Sequence, residues 1–260
     1  SSGVPERVSY LRNLKYLSKK MMKLFLQRSL RSAATPSCQR SFATAVIHET
    51  CGVPTAVLKR VEVALSGPVG PNDISLKILA APINPSDLNM VEGVYGIKAK
   101  LPAIAGNEGV AVVREVGNQV KNVKAGDWVI PRGGGFGTWR EETVVNEDLV
   151  DKVPNDIPRP YAATIGVNPS TAYRLLKDFG NLKPGDWVIQ NGANSMVGLA
   201  VVQIAALLGL NTINIIRSDK PDGAAFNDLR LLDMLGGTIN IRSDFLHTQD
   251  FKDILVELDG

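Results

Sequence analysis

The stretch GDWVIQNGANSMVGLAVVQIAALLGLNTINIIRS, residues 185–218, decides the fold. A Gly-Asp turn leads into a short apolar run that starts at Trp187. A turn of small residues follows from Gly192 to Gly198, then a long apolar stretch, then a β-branched run ending at Ile216. Strand, small-residue turn, helix and strand in that order form the repeating unit of a parallel doubly wound sheet. The turn points backbone N–H groups and the positive end of a helix dipole at one place, which suits a pyrophosphate.

Towards the C-terminus the alternation continues. A helix around AAFNDLRLLDMLGG (224–237), a third strand at TINIRS (238–243) and one more helix in the last residues are expected. Towards the N-terminus, YAATIGVNPSTAYRLLKDFG (161–180) has helical apolar spacing. Before it, from Ala45 to about Val153, short β-rich runs are divided by Pro and Gly clusters. AVLKRVEVAL, ISLKILAAP, GVAVVREVG, DWVIP and TWREETVV read as its strands. The reading is an α/β chain: a leading segment to residue 43, a compact β-rich domain over 44–165, and about half of a Rossmann sheet over 166–260. GDWVI occurs at 126–130 and 185–189, but no similarity flanks it, so it is a turn chemistry used twice and not a repeat.

The chain has 260 residues, 44% hydrophobic and 21% charged, enough for two modest domains. Its net charge of +3 is unevenly spread. No acidic residue stands between Glu6 and Glu49, where nine Lys and Arg fall, and the remainder is net acidic. That distribution argues against nucleic acid as a main partner. The basic, Ser-rich segment MMKLFLQRSLRSAATPSCQRSFATA (21–45) has the profile of a mitochondrial presequence, with a basic arm or surface helix as the alternative. No run reaches the roughly 20 apolar residues of a membrane span. Only Cys38 and Cys51 are present, which excludes a disulfide framework and a four-cysteine zinc lobe.

At the end of the second β-branched run stands Arg217, with Lys220 close behind. An acidic residue near that position holds the ribose hydroxyls in NAD-specific sites. A basic one suits a 2′-phosphate, so NADPH is the expected cofactor.

These motifs resemble the medium-chain dehydrogenase/reductase superfamily and, more narrowly, its mitochondrial trans-2-enoyl-thioester (enoyl-ACP/CoA) reductases. The likeness rests on LAAPINPSDLNMVEGVYG, LPAIAGNEGVAVVREVG, GDWVIP, GTWREE, GVNPSTAYRLL and GDWVIQNGANSMVG, and runs from about Ala45 to about Asp244. It implies a GroES-like barrel followed by a Rossmann domain. It also implies NADPH-dependent reduction of a trans-2-enoyl thioester, on acyl carrier protein or CoA, in mitochondrial fatty-acid synthesis in the matrix. It places Tyr95 as the group that stabilises the enolate and supplies a proton. Asn168 matches a cofactor contact at the interdomain cleft, with a helix N-cap as its bland alternative. Asn194, Ser195, Met196 and Val197 match the phosphate turn, and Arg217, Ser218 and Asp219 the 2′-phosphate loop. Lys98 and Lys100 could meet an acidic carrier protein or be merely solvated. Full-length relatives are expected to be homodimers.

Zinc-dependent members of the superfamily use a Cys and the His of Gly-His-Glu. The corresponding positions here are Asn84 and Asn107, and an amide oxygen is a poor zinc ligand, so no catalytic metal is expected. His48 and His247 read as surface or strand-end residues, Trp139 as packing, and Glu108 as structural. Two departures stand out. Met196 replaces a glycine of the family's phosphate turn. The strands number about three where the superfamily sheet has six, so a truncated product without the dimerisation edge is expected. The competing readings are a zinc-free quinone or enone reductase and a non-catalytic isoform.

Overall fold

The computed structural model describes residues 42–64, 67–219 and 221–259. The expected targeting segment, apart from its last two residues, lies outside them, as does Lys220. From Phe42 onward the chain forms one compact unit.

The β-rich part runs through β1 (Phe42–His48), α1 (Pro54–Val57), β2 (Lys59–Ala64), β3 (Asp73–Ala80) and α2 (Pro85–Glu92). It continues through β4 (Ala103–Ile104), β5 (Val110–Val116), β6 (Trp128–Pro131), β7 (Glu142–Asn146) and β8 (Val150–Val153). Two antiparallel sheets result, in the orders β2-β1-β4 and β7-β3-β5-β6-β8. The inward residues Ile74, Leu76, Ala111, Val113, Val129 and Val150 close the core of the larger sheet. Fully burying an Ile or Val of this kind contributes about 1.5–3 kcal/mol.

Three sequence expectations shift here. Phe42 and Ala43 were expected to end the leader, yet both belong to β1, and Ala43 is buried. The basic, Ser-rich surroundings hid a strand whose signal is only three residues clear of them. AVLKRVEVAL was expected as one strand. Pro54 instead starts the short α1, Leu58 turns extended, and the strand begins at Lys59. In TWREETVV the strand begins at Glu142. Trp139 to Glu141 stitch the two sheets together: Val46 N–H donates to Trp139 O, Glu141 N–H to Thr44 O, and Ile78 N–H to Glu141 O.

The second part begins with two helices, α3 (Arg159–Thr164) and α4 (Asn168–Asp178), where one helical stretch was expected. The break falls at Ile165–Val167, and α3 packs back on the barrel through Ala162 and Ala163. Then follow β9 (Trp187–Asn191), α5 (Met196–Leu207), β10 (Asn211–Ile216), α6 (Asp222–Met234), β11 (Ile239–Arg242) and α7 (Gln249–Asp259). The strands are parallel in the order β11-β10-β9, with Ile213 paired to both Ile189 and Ile239. That is the 3-2-1 order of one half of a doubly wound sheet. Helix α5 is apolar on most sides because it is wedged in. It meets α4 through Ala172, Leu176, Val201 and Ala205, and the sheet and α6 through Val202, Ile216 and Leu232. Among the described residues no helix is long and apolar enough to cross a membrane.

Candidate functional site

The turn between β9 and α5 lies at the carboxyl end of a parallel strand, where doubly wound sheets bind ligands. Gly192 adopts φ +59°, which a side chain disfavours, and Ser195 N–H closes the turn on Gly192 O. Ser195 is the N-cap of α5, its hydroxyl accepting from Gly198 N–H at 3.1 Å. A Cβ on Gly198 would stand 2.5 Å from Ala193 O, so this glycine lets helix and strand approach. The first-turn N–H groups of Met196 and Val197 have no acceptor within the helix. They remain for an anion. Met196 is 59% exposed at the first helical position, so its side chain is not packed into the turn. Asn194 donates its side-chain amide to Asp228 of α6 at 2.8 Å, which pins the turn to the next crossover helix.

The loop after β10 holds Arg217, Ser218 and Asp219. The Arg217 guanidinium is exposed and stands 3.6 Å from the Asp219 carboxylate. Ser218 is fixed from β11 and beyond: its O accepts from Arg242 at 2.7 Å and its N–H donates to the Ser243 hydroxyl at 3.1 Å. Sequence reading missed Arg242 and Ser243. The only hint was that the third strand ends, like the second, in Arg-Ser.

A buried polar cluster occupies the junction between the barrel and α4. Glu108 is 3% exposed; its Oε2 accepts from Asn84 Nδ2 at 2.9 Å and its Oε1 from Val167 N–H at 2.7 Å. Asn84 Oδ1 accepts from Asn168 Nδ2 at 3.0 Å. Val167, not Asn168, is the N-cap position of α4, so the side chain of Asn168 faces the barrel and does not cap its helix. Asp87 binds Asn84 N–H through one oxygen and both Asn107 N–H and Asn107 Nδ2 through the other. Asn107 Oδ1 in turn accepts from Gly135 N–H. Burial pushes the Glu108 carboxyl above its ordinary value. Hydrogen bonds from Asn84 and Val167 pull it back, and the neighbouring Asp87 charge adds to the rise.

Tyr95 sits in the loop just after α2, held by its backbone N–H on Asn89 O. Its side chain is 37% exposed, and its hydroxyl has no hydrogen bond among the described residues. Lys98 and Lys100 line a hollow of about 480 Å³ beside this loop, together with His48, Asn107, Phe136 and Arg140. His48 ends β1 and is buried; His247 is exposed.

Residues 70–155 match the alcohol dehydrogenase GroES-like domain. The rat mitochondrial enoyl-[acyl-carrier-protein] reductase is 50% identical over 218 residues, covering 84% of this chain and 57% of the relative. The mitochondrial 2-enoyl thioester reductase Etr1p/Etr2p heterodimer from Candida tropicalis superposes with a TM-score of 0.76 at 36% identity. It covers 84% of this chain and 65% of that one. The Etr1p/NADP/crotonyl-CoA complex gives 0.77 at 35% identity over the same shares. Over the part it shares with them, the chain is similar to mitochondrial enoyl-thioester reductases. It spans about three-fifths of the length of the curated relatives it matches.

The positions that match the metal ligands of zinc-dependent dehydrogenases are taken here by amides already committed elsewhere. Asn84 bridges Glu108 and Asn168, and Asn107 bridges Asp87 and Gly135. Among the described residues no three His, Cys, Asp or Glu side chains gather as a metal site. The structure thus draws the expected residues into separate places: the phosphate turn and the Arg217 loop at the strand ends, Asn168 at the junction, and Tyr95 on the barrel.

Proposed function

We propose that this chain is an NADPH-dependent reductase of trans-2-enoyl thioesters, carried on acyl carrier protein or CoA, in the mitochondrial matrix. The observation that carries the reading is the Gly192–Gly198 turn capped by Ser195, with Arg217 and Ser218 at the end of the adjacent parallel strand. In a chain similar to these reductases, that arrangement fits a dinucleotide bearing a 2′-phosphate. The mitochondrial location rests on the relatives' names and on the basic leading segment. The division into a barrel domain (44–165) and a nucleotide-binding domain (166–260) belongs to the same proposal. So does dimeric assembly of full-length members, which the Candida tropicalis heterodimer supports.

In this reading the N–H groups of Met196 and Val197 and the N-terminus of α5 hold the pyrophosphate. Arg217 pairs with the 2′-phosphate once released from Asp219, and Ser218 lines the same loop. NADPH supplies the hydride that adds to the β-carbon. Tyr95 donates a hydrogen bond to the thioester oxygen as enolate charge develops there, and protonates the α-carbon. A phenol stays protonated at neutral pH and donates strongly, which suits both tasks. Asn168 contacts the cofactor from the junction.

Enhanced nicotinamide fluorescence on titration, and NADPH oxidation on adding crotonyl-CoA, are the expected results. Oxidation with a quinone but not with the enoyl thioester would overturn the reading. Tyr95→Phe is expected to slow turnover by about 10²-fold or more, the range of positioned acid catalysis, with NADPH affinity unchanged. Equal loss of both would remove Tyr95 from this role.

A further inference from the structure

Glu108 is a buried carboxylate whose two oxygens both meet fixed donors, one on each side of the junction. Val167 N–H comes from the segment entering α4, and Asn84 Nδ2 from the start of α2. An ionised carboxylate only accepts hydrogen bonds. Asn84 must therefore turn its NH₂ towards Glu108, which leaves its Oδ1 facing the other way. There it accepts from Asn168 Nδ2 at 3.0 Å. One N–H of Asn168 Nδ2 is then held by Asn84, and Asn168 Oδ1, on the other side of the carboxamide, has no partner among the described residues. The orientation of two carboxamides in series thus follows from one charge that does not touch the second of them.

We propose that Glu108 is a positioning residue that acts through Asn84 to fix the carboxamide of Asn168, so that Asn168 Nδ2 faces Asn84 and its Oδ1 is turned away as an acceptor. This rests on the reading of Asn168 as a cofactor contact and specifies its chemistry. The ligand group opposite Asn168 is a hydrogen-bond donor: the amide NH₂ of the nicotinamide or a ribose hydroxyl. Without the carboxylate, Asn84 can flip, and the polarity shown to the cofactor is no longer fixed.

The relay is tested first without any ligand, by following side-chain amide signals of the ¹⁵N-labelled chain. Asn84 and Asn168 are assigned through Asn84→Ala and Asn168→Ala. In Glu108→Gln, the Asn168 amide is expected to lose at least tenfold in exchange protection although it has no contact with Glu108. The Asn107 amide, held by Asp87 and Gly135, keeps its protection and reports an intact fold. Should Glu108→Gln unfold the barrel, Asn84→Ala removes the middle link, leaves the Glu108–Val167 bond, and is expected to free Asn168 equally. An Asn168 amide that stays protected in the folded variants overturns the proposal.

The second arm measures NADPH affinity by nicotinamide fluorescence. Asn84→Ala and Asn168→Ala are each expected to weaken binding about tenfold, and the double variant no further, because they break one chain of interactions. Additive losses overturn the relay, since an Asn84 that is only structural would lower melting temperature without coupling to Asn168. The 3-acetylpyridine analogue of the oxidised cofactor lacks the amide NH₂. If the Asn168→Ala loss vanishes with it, the donor is that amide; if the loss persists, a ribose hydroxyl. Failure of the unsubstituted chain to bind NADPH would sink the cofactor reading alone, and the amide signals would still decide the relay.

Discussion

Gly198 has no room for a side chain, because the atoms a Cβ would meet are the backbone of Ala193 and cannot rotate away. Gly198→Ala must push α5 off the end of β9, and a strain of that kind costs about 1–3 kcal/mol. The expected result is a lower urea midpoint together with weaker dinucleotide binding, since the same turn presents the first-turn N–H groups. An unchanged midpoint would show that helix and strand part freely here. This residue was legible in the sequence because its role is local, six positions from Gly192 in a strand–turn–helix frame. Asn168 was only half legible. Its place at the cleft came from resemblance, but its partner Asn84 lies 84 positions away, and hydrophobic pattern carries no trace of such a bond. Glu108 was read as structural, and its role as a two-sided acceptor became visible only when Val167 was seen on the other side.

Among the elements, the two GDW turns show how local chemistry is reused. Lys124-Ala125-Gly126-Asp127 and Lys183-Pro184-Gly185-Asp186 each close with the Asp N–H on the Lys O. In each, an Asp carboxylate oxygen accepts from the Lys N–H, at 3.0 and 2.8 Å. Both glycines have positive φ, +92° and +97°, as the third residue of a type II turn requires. Each turn launches a Trp-Val-Ile strand, one in an antiparallel sheet and one in a parallel sheet. The turns are alike; the sheets are not. That is why the sequence showed the motif twice with nothing similar around it. Neither glycine has an atom within 4 Å of a built Cβ, so a side chain there meets conformational cost and no clash. Gly126→Ala and Gly185→Ala are therefore expected to lower stability by similar amounts, about 1–2 kcal/mol each. Asn at either position is expected to cost less, because its side chain tolerates left-handed backbone. Thermal unfolding of the four variants checks this, and a much larger loss at one site than the other would contradict a shared turn. Element boundaries were read less well than turns. Pro54, the 139–141 stitch and the break before Asn168 are set by contacts between sheets and helices, and those leave only weak marks in periodicity.

At the scale of the whole molecule, three carboxylates among the described residues push the pH dependence of stability one way and one pushes it the other. Glu49 beside Lys59, Asp127 beside Lys152 and Glu147 under the Lys121 and Asn122 N–H groups all have lowered values. Their contributions are present above their ordinary values and are lost as pH falls through the folded ones. Glu108 is raised above its ordinary 4.5, chiefly by burial. The folded chain therefore holds that proton more tightly than the unfolded chain. Its favourable contribution is full below 4.5 and is lost as pH rises through the folded value. Glutamine fills the same space but does not titrate. It turns an NH₂ towards either Val167 N–H or Asn84 Nδ2, which adds a loss that does not vary with pH. The unfolding free energy of the parent chain minus that of Glu108→Gln is thus expected to fall as pH rises from 4.5 to the folded value, and to stay level above it. Asp87, the other carboxylate beside Glu108, keeps its hydrogen bonds from Asn84 and Asn107 in both chains. Urea unfolding at a series of pH values measures this difference directly. A difference that stayed flat across that window would mean that Glu108 carries the same charge state in folded and unfolded chains, and the junction would then not be the desolvated site its burial indicates.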